Sequence, residues 1–455
     1  MHNKLRWAIL FFADIVGVVV CINLLFWTQQ GSLFAPFTLG LGLFIIIINT
    51  TMLLSGTYLR SASKRLPKLP LTTFFKALLA VIPCVLISSL LPQDEFLRQL
   101  NGLHLIVLMA LFACWATVNR LIVNRLFSWQ QMMNPIVYLG YSNHTADFLQ
   151  QIHVLEPRRS IFIATDQAIE LPNTQSNTIQ LVSLNKTSDD LAKLIPVGEV
   201  VVDPNFSLDT KRAEYLVSTR LSGFSVRSLS DFFEEECFKM SLTQLKEHWF
   251  LRAQGFAMIR SQSSLKIKRL FDILFALLLL LFSAPLIVIA AIAVKCSSSG
   301  PVFFVQNRVG LNGNIFRLFK LRTMQVNAEA AGAQWAEVDD SRITTVGHFL
   351  RHSRLDELPQ CWNVLQGHMS FIGPRPERPE FTSLLADKTP YYDLRHLVKP
   401  GLTGWAQVMY PYAASEDDSL RKLEYDLYYI KHQSILFDMN ILLRTLFIVL
   451  QRVGR

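Results

Sequence analysis

The run Leu270-Phe-Asp-Ile-Leu-Phe-Ala-Leu-Leu-Leu-Leu-Leu-Phe-Ser-Ala-Pro-Leu-Ile-Val-Ile-Ala-Ala-Ile-Ala-Val294 decides how the C-terminal part of the chain meets its surroundings. As one straight helix it would be about 37 Å long at ~1.5 Å per residue, enough to cross roughly 30 Å of hydrocarbon. Its flanks argue against a crossing. Lys266, Lys268 and Arg269 precede the run and Lys295 follows at once, whereas a crossing segment carries its positive charge mainly on one side. Pro285, just after Ser283, removes a backbone hydrogen bond near the middle and bends the helix. The expectation is a re-entrant membrane helix over 270–294 whose halves reach the same cytoplasmic face. Asp272 is expected to pair with Lys268 and Arg269 at headgroup depth.

The rest of the chain fits a membrane protein. It has 455 residues, 51% of them hydrophobic and 17% charged. The net charge of +9 sits beside apolar runs, which suits anionic headgroups or phosphates rather than nucleic acid. Six scattered cysteines without C-x-x-C spacing give neither a disulfide framework nor a zinc site. Four apolar runs open the sequence, Trp7–Trp27, Phe37–Tyr58, Phe74–Leu91 and Leu103–Val123, with Pro83 set to kink the third. The first lacks a small-residue cleavage pattern and is expected to be retained. Lys4 and Arg6 precede the first run, and Arg60, Lys64, Arg65 and Lys68 fill the second loop. Arg120 and Arg125 close the set, while the first loop has no Lys or Arg. That alternation puts both ends of a four-helix transmembrane domain, 1–127, on the cytoplasmic side.

From 133 to 230 short β-branched runs alternate with helical ones, predicting a Rossmann-like cytoplasmic domain with a parallel sheet. Strands are expected at Ile136–Leu139, Ser160–Thr165, Thr178–Leu184, Val200–Asp203 and Phe224–Leu229, and helices at Thr145–Ile152, Asp189–Ile195 and Lys211–Ser222. The first turn keeps only Gly140 of a G-x-G-x-x-G fingerprint, so dinucleotide binding is not expected despite Asp166. Residues 231–264 read as a polar linker, with Glu234–Glu236 a solvated face. The fold class expected is therefore a membrane α-helical bundle plus α/β, with a small α/β catalytic domain over 265–455.

That last third carries the chemistry. Val302–Gly310 and Phe316–Met324 read as a strand pair presenting Arg308, Lys320 and Arg322. Arg351-His-Ser-Arg-Leu-Asp-Glu-Leu-Pro-Gln360 sets two adjacent carboxylates, Asp356 and Glu357, among arginines. Arg375 follows, held between Pro374 and Pro376. A carboxylate can attack phosphorus or hold a cation, and guanidinium forks bind phosphate oxygens. A bland reading is an Asp-Glu pair at a solvated helix start. Tyr425–Lys431 reads as an interfacial aromatic stretch and Leu436–Leu450 as an interfacial or packed helix.

From about Lys266 onward the chain resembles the catalytic domain of bacterial polyprenyl-phosphate sugar-1-phosphate transferases, the monotopic phosphoglycosyl transferases. The motifs are Lys268-Arg-Leu-Phe-Asp272, Gly300-Pro-Val-Phe-Phe304, Arg308-Val-Gly310, Lys320-Leu-Arg-Thr-Met324, Leu355-Asp-Glu-Leu-Pro-Gln360, Gly373-Pro-Arg-Pro376 and Lys399-Pro-Gly-Leu-Thr-Gly-Trp405. The preceding segments resemble the long members, such as undecaprenyl-phosphate glucose phosphotransferases, which initiate exopolysaccharide and O-antigen assembly. Arg354 departs from the serine that many members carry there.

The resemblance implies transfer of a sugar-1-phosphate, glucose first, from a UDP-sugar to undecaprenyl phosphate with release of UMP. It implies Asp356 as nucleophile and Glu357, with Asp356, as the site of Mg²⁺. It further implies Arg375, Lys320, Arg322, Arg351 and Arg308 as phosphate or nucleotide contacts. The setting implied is the bacterial inner membrane, multi-pass, with the catalytic domain cytoplasmic and in contact with the lipid bilayer. The additional domains are compatible with a homodimer. Two other readings stand beside it. One is a metal-dependent glycosyltransferase using Asp339-Asp340 or Asp417-Asp418; the other is a non-catalytic scaffold or regulator of a polysaccharide assembly complex.

Overall fold

The computed structural model describes residues 2–31, 34–54, 69–78, 80–100, 102–132, 135–155, 159–166, 179–183, 199–242, 255–326, 328, 340–389, 391–410 and 415–450. The chain divides into two compact units, Met1–Cys237 and Phe238–Arg455.

In the first unit the apolar runs form helices α1 (His2–Gln30), α2 (Leu39–Leu54), α3 (Leu69–Leu78), α4 (Val81–Leu90) and α5 (Gly102–Met132). Among the described residues three helices are long and apolar enough to cross a membrane: Leu5–Gln29, Gly102–Leu126 and Gln262–Ser297. The first and fourth expected runs are thus of crossing length. The second is described as a helix over Leu39–Leu54, and residues 55–58 of that run lie outside the described residues. The third is two ten-residue helices. The second of these restarts at Val81, which puts Pro83 in a first turn, where its missing N–H costs no bond. Arg120, expected as a loop charge, lies inside α5. It is 2% exposed and forks onto Asp14 of α1, with Nη1 to Oδ1 at 2.9 Å and Nη2 to Oδ2 at 2.7 Å. A charge in an apolar bundle is tolerated when so paired, and this one carries no signal of orientation.

The same unit holds an all-parallel five-stranded sheet of β1 (Ile136–Leu139), β2 (Ile161–Thr165), β3 (Ile179–Ser183), β4 (Glu199–Val202) and β5 (Val226–Ser228), in the order β3-β2-β1-β4-β5. Helices α6 (Asn143–Leu155) and α7 (Thr210–Leu221) interleave with the strands; the expected Asp189–Ile195 helix lies outside the described residues. β1 is buried along its whole length, as expected of a central strand covered on both faces. Asp166 pairs with Arg212 at 2.8 Å, and Asp203 accepts hydrogen bonds from Tyr138 and Ser142, each at 2.5 Å. The expected linker is divided between units. Phe232, Phe233 and Cys237 are buried in the sheet's core, while the Phe238 carbonyl accepts from Trp405 Nε1 at 2.9 Å in the second unit. Glu235 and Glu236 are not a purely solvated face, since Arg227 reaches them at 2.8 and 3.5 Å.

The second unit is built around α8 (Gln262–Ser297), one helix of 36 residues with Pro285 inside it. Leu281, Phe282, Val288 and Ile289 in its middle are exposed, while both of its ends are tied to the same small domain. Near the start, Arg269 donates to the carbonyls of Val364 and Leu365 at 2.6 and 2.9 Å. Lys268 pairs with Asp438 at 2.5 Å, and Asp272 accepts from Ser370 Oγ at 3.0 Å and Phe371 N–H at 2.8 Å. The expected Asp272 pairing with Lys268 and Arg269 is therefore replaced by three separate ties. Lys268 is taken by Asp438 and Arg269 by two carbonyls, and fixed neutral donors satisfy the buried Asp272 oxygen instead. At the other end Ala290 and Val294 pack with Leu321 and Leu350.

The domain consists of the antiparallel hairpin β6 (Phe303–Val309) and β7 (Ile315–Leu321), helices α9 (Thr345–His352), α10 (Gln360–Gln366) and α11 (Pro379–Lys388), the parallel pair β8 (Ser370–Ile372) and β9 (Gly401–Thr403), and helices α12 (Glu416–His432) and α13 (Ile435–Leu450). Tyr425, Tyr429 and Ile430 of α12 are buried in this core, so that stretch is a packing face and not an interfacial one. Tyr429 satisfies its hydroxyl by donating to Asp438 Oδ1 at 2.8 Å, which lets its ring be buried at no polar cost.

Candidate active site

Three local devices bring the cations and carboxylates together. Helix α9 starts at an N-cap, Thr344, whose hydroxyl accepts from Gly347 N–H at 3.0 Å, a bond that satisfies one orphan donor of the first turn. Gly347 has no alternative, because a Cβ there would lie 2.0 Å from the Thr323 carbonyl oxygen. The helix ends at Ser353, and Arg354 then takes a left-handed backbone, φ +60°. An arginine in that region is strained, and the reversal throws the next residues, the 3-10 turn Leu355–Glu357, toward the β6–β7 hairpin.

On β7, period-two alternation places Lys320 on the same face as Phe316 and Leu318, which are 7% and 2% exposed. Asn363 of α10 pins that strand's edge, accepting from Phe319 N–H at 3.1 Å and donating to the Arg317 carbonyl at 2.7 Å. The third device is the Pro374–Pro376 turn. Its carbonyls are taken one after another: Pro374 O by Gly401 N–H at 2.8 Å, Arg375 O by Arg395 at 2.9 Å, Pro376 O by Arg308 at 3.0 Å and Glu377 O by Val309 N–H at 3.0 Å. Gly401 is required beside it, since a Cβ would sit 2.1 Å from Gly373 N.

The result is a cleft of about 1250 Å³ lined by Lys320, Arg351, Asp356, Glu357, Arg375 and Lys422 on its polar side. Its apolar side includes Leu279 of α8 and Leu442, Leu446 and Val449 of α13. Glu357 Oε1 accepts from Arg375 Nη2 at 2.6 Å and lies 3.5 Å from Lys320 Nζ, with Arg354 Nη1 3.9 Å from Oε2. Burial pushes the Glu357 carboxyl up, but Arg375, Lys320 and Arg354 outweigh it and hold it well below the usual carboxylate range. Asp356 is 7% exposed, and its Oδ1 is buried without a hydrogen-bond partner. Burial, then the Glu357 charge, pushes Asp356 up to about 6. Burial pushes Lys320 down to about 8, helped by Arg375 and Arg308. Two adjacent acids are thus driven apart, one held ionised by cations and one poised near neutrality, a pattern that marks reactive rather than structural carboxylates.

The sequence-predicted residues separate into two groups. Asp356, Glu357, Lys320, Arg351 and Arg375 share the cleft, with Arg351 Nε donating to Thr323 Oγ1 at 2.9 Å. Arg308 and Arg322 also line it, yet each spends guanidinium nitrogens on the frame. Arg308 holds the Pro376 carbonyl, and Arg322 Nη2 holds the Ser298 carbonyl and hydroxyl, both at 2.9 Å. The Asp-Asp alternatives are engaged elsewhere: Arg342 takes both oxygens of Asp340, and Asp418 closes a capping box with Ser415. Asp339 lies outside the described residues. Sequence reasoning missed Gln407 and Lys422, which line the cleft, and Asn363, whose only signal was an amide inside an apolar helix.

For a metal ion, the described residues contain no cluster of three or more His, Cys, Asp or Glu that could form a cage. The fit is of another kind. An orphaned buried Asp356 oxygen beside an ionised Glu357 suits a hard cation that takes one or two carboxylates and completes its shell with substrate phosphates and water.

Comparison with known proteins agrees with this geometry. The bacterial sugar transferase family model matches residues 263–452. The chain is 46% identical over 188 residues to the UDP-N-acetylgalactosamine-undecaprenyl-phosphate N-acetylgalactosaminephosphotransferase of Aeromonas hydrophila, covering 41% of this chain and 44% of that one. It is 43% identical over 185 residues to the UDP-glucose:undecaprenyl-phosphate glucose-1-phosphate transferase of Escherichia coli (strain K12), 40% of this chain and 39% of that one. A Caulobacter vibrioides (strain ATCC 19089 / CIP 103742 / CB 15) protein with the same description is 41% identical over 180 residues, 39% of this chain and 67% of that one. The chain thus spans about two fifths of the first two relatives and two thirds of the third. With its site built on the matched segment, the chain belongs to the bacterial sugar transferase family.

Proposed function

We propose that this protein transfers a sugar-1-phosphate from a UDP-sugar to undecaprenyl phosphate and releases UMP. The observation that carries the reading is the partnerless, buried oxygen of Asp356 beside a Glu357 held ionised by Arg375 and Lys320. In the first step an Asp356 oxygen bonds to the β-phosphorus. The bond from that phosphorus to the bridging oxygen breaks, and UMP leaves with the electron pair. In the second step a phosphate oxygen of undecaprenyl phosphate attacks the same phosphorus, and Asp356 departs as the carboxylate. A covalent intermediate of this kind splits one hard transfer into two in-line displacements. Lys320, Arg351 and Arg375 face the phosphates, where pre-placed cations stabilise charge that builds in the transition state. Mg²⁺, held by Glu357 and Asp356, would neutralise diphosphate charge.

The apolar side of the cleft supports a lipid acceptor, because Leu279 lies on the membrane helix itself. Ties from both ends of α8 to one domain, with exposed apolar residues between them, support the re-entrant course and a catalytic domain on the cytoplasmic face of the inner membrane. The sugar is a hexose, glucose or N-acetylgalactosamine being the donors in the relatives' descriptions. The test is a panel of UDP-sugars with undecaprenyl phosphate: UMP and a lipid-linked product are expected from one of them. Release of UDP would point to an ordinary glycosyltransferase, and no turnover with any donor to a non-catalytic role.

A further inference from the structure

The short helical turn Tyr392–Leu397 carries a buried cation, Arg395, that never reaches the cleft's carboxylates. It is 5% exposed. Nη1 donates to the Tyr392 hydroxyl at 2.6 Å, and Nη2 donates to Asp426 Oδ2 and to the Arg375 carbonyl, each at 2.9 Å. Asp426, on α12, is 1% exposed. Stability alone is a poor account of such a pair. Desolvating two charges usually costs about as much as their attraction returns, and an apolar substitute of similar volume is often as good. This pair is also under-satisfied, since Asp426 Oδ1 has no hydrogen-bond partner.

What only a buried guanidinium supplies here is a rigid donor on the backbone of Arg375. Pro376 restricts Arg375 to extended backbone and Pro374 fixes only its own φ, which leaves the tilt of the Arg375 peptide plane free. The Arg375 carbonyl takes its hydrogen bond from Arg395. A shift of a few tenths of an ångström at that carbonyl moves the far end of a long side chain by more, and the Arg375–Glu357 bond is 2.6 Å long. We infer that Arg395 and Asp426 are a positioning pair, which acts on the reaction by fixing Arg375 against Glu357. The inference rests on the role given to Arg375 in the proposed transfer.

The test is a double-mutant cycle in full-length protein in nanodiscs, reading UMP release and thermal unfolding together. Asp426→Asn is expected to lower the rate ~30-fold in the wild-type background, but less than about 3-fold when Arg375→Ala is already present, because residues acting as one unit are not additive. The control is Glu424→Gln on the same helix, which breaks a largely buried ion pair with Lys239 at 2.6 Å. It is expected to lower the melting temperature comparably and leave the rate within about 3-fold. Equal losses in both backgrounds, or a loss from Glu424→Gln matching that of Asp426→Asn, would overturn the inference. If Asp426→Asn does not fold, Tyr392→Phe, which removes one acceptor from Arg395, replaces it. The expected loss is then about 5-fold in the wild-type background and none beside Arg375→Ala. A wild type that turns over with release of UDP, or not at all, would instead overturn the parent reading and this one with it.

Discussion

Removing the Arg375 fork is the most informative single perturbation of the cleft. Arg375 Nη2 lies 2.6 Å from Glu357 Oε1, and the two side chains are 31% and 12% exposed, so solvent screens the bond only in part. A hydrogen bond to a charged group at such a site contributes about 1.5–3 kcal/mol, which corresponds to roughly 10- to 150-fold in rate if it is realised in the transition state. Arg375→Met deletes both charge and fork and should fall in that range. Arg375→Lys keeps a point charge but loses the planar geometry, and should cost about 10-fold. Lys320 at 3.5 Å and Arg354 at 3.9 Å remain beside Glu357 in either variant, and the loss reports on the Arg375–Glu357 pair as a unit. The assay is UMP release at saturating undecaprenyl phosphate, with circular dichroism melting as the control for folding. An Arg375→Met rate within 3-fold of wild type, at an unchanged melting temperature, would refute the view that this ion pair organises the cleft.

Three further outcomes follow from the geometry. The pH profile of turnover should be a bell: Asp356, raised to about 6, must lose its proton to attack, and Lys320, lowered to about 8, must keep its own. Activity therefore falls as pH drops through 6 and as it rises through 8; Lys320→Arg should remove the alkaline limb alone, and an acid limb near 4 would contradict the burial of Asp356. Arg354→Gly should be about 1 kcal/mol more stable than Arg354→Ala, because only glycine relieves the φ of +60°; chemical denaturation showing equal stabilities would count against strain at that turn. Asp272→Ala should cost about 1–3 kcal/mol by stranding the buried Phe371 N–H, and a melting temperature within 1 °C of wild type would rule out this carboxylate as a tie between α8 and the domain.

Much of this was legible in the residues. Strands β1 to β5 announce themselves by short β-branched runs, and the β6–β7 hairpin by alternation that carries Lys320 onto a core face. Asp356, Glu357 and Arg375 could be singled out because carboxylates among arginines are a costly arrangement without a ligand to serve. Long-range pairing was not legible. Nothing local tells that Asp272 bonds Ser370 and Phe371 rather than Lys268, or that Arg120 is a buried partner of Asp14 rather than a loop charge. The same limit hid the roles of Arg308 and Arg322, whose type suggested phosphate while their neighbours turned out to be carbonyls. The Tyr425–Lys431 face misled for a related reason: an aromatic stripe suits a membrane interface and a protein core equally well until its partners are known.

The covalent role of Asp356 is tested most directly by mass. Purified protein mixed with its UDP-sugar, without undecaprenyl phosphate, and quenched in acid should gain one hexose phosphate. Proteolysis should place it on the peptide bearing Asp356, with UMP released in equal amount. Adding undecaprenyl phosphate before the quench should discharge it, and Asp356→Asn should never acquire it. An Asp356 peptide that stays unmodified with the UDP-sugar alone, in a preparation that forms lipid-linked product at the normal rate once undecaprenyl phosphate is added, would contradict the account.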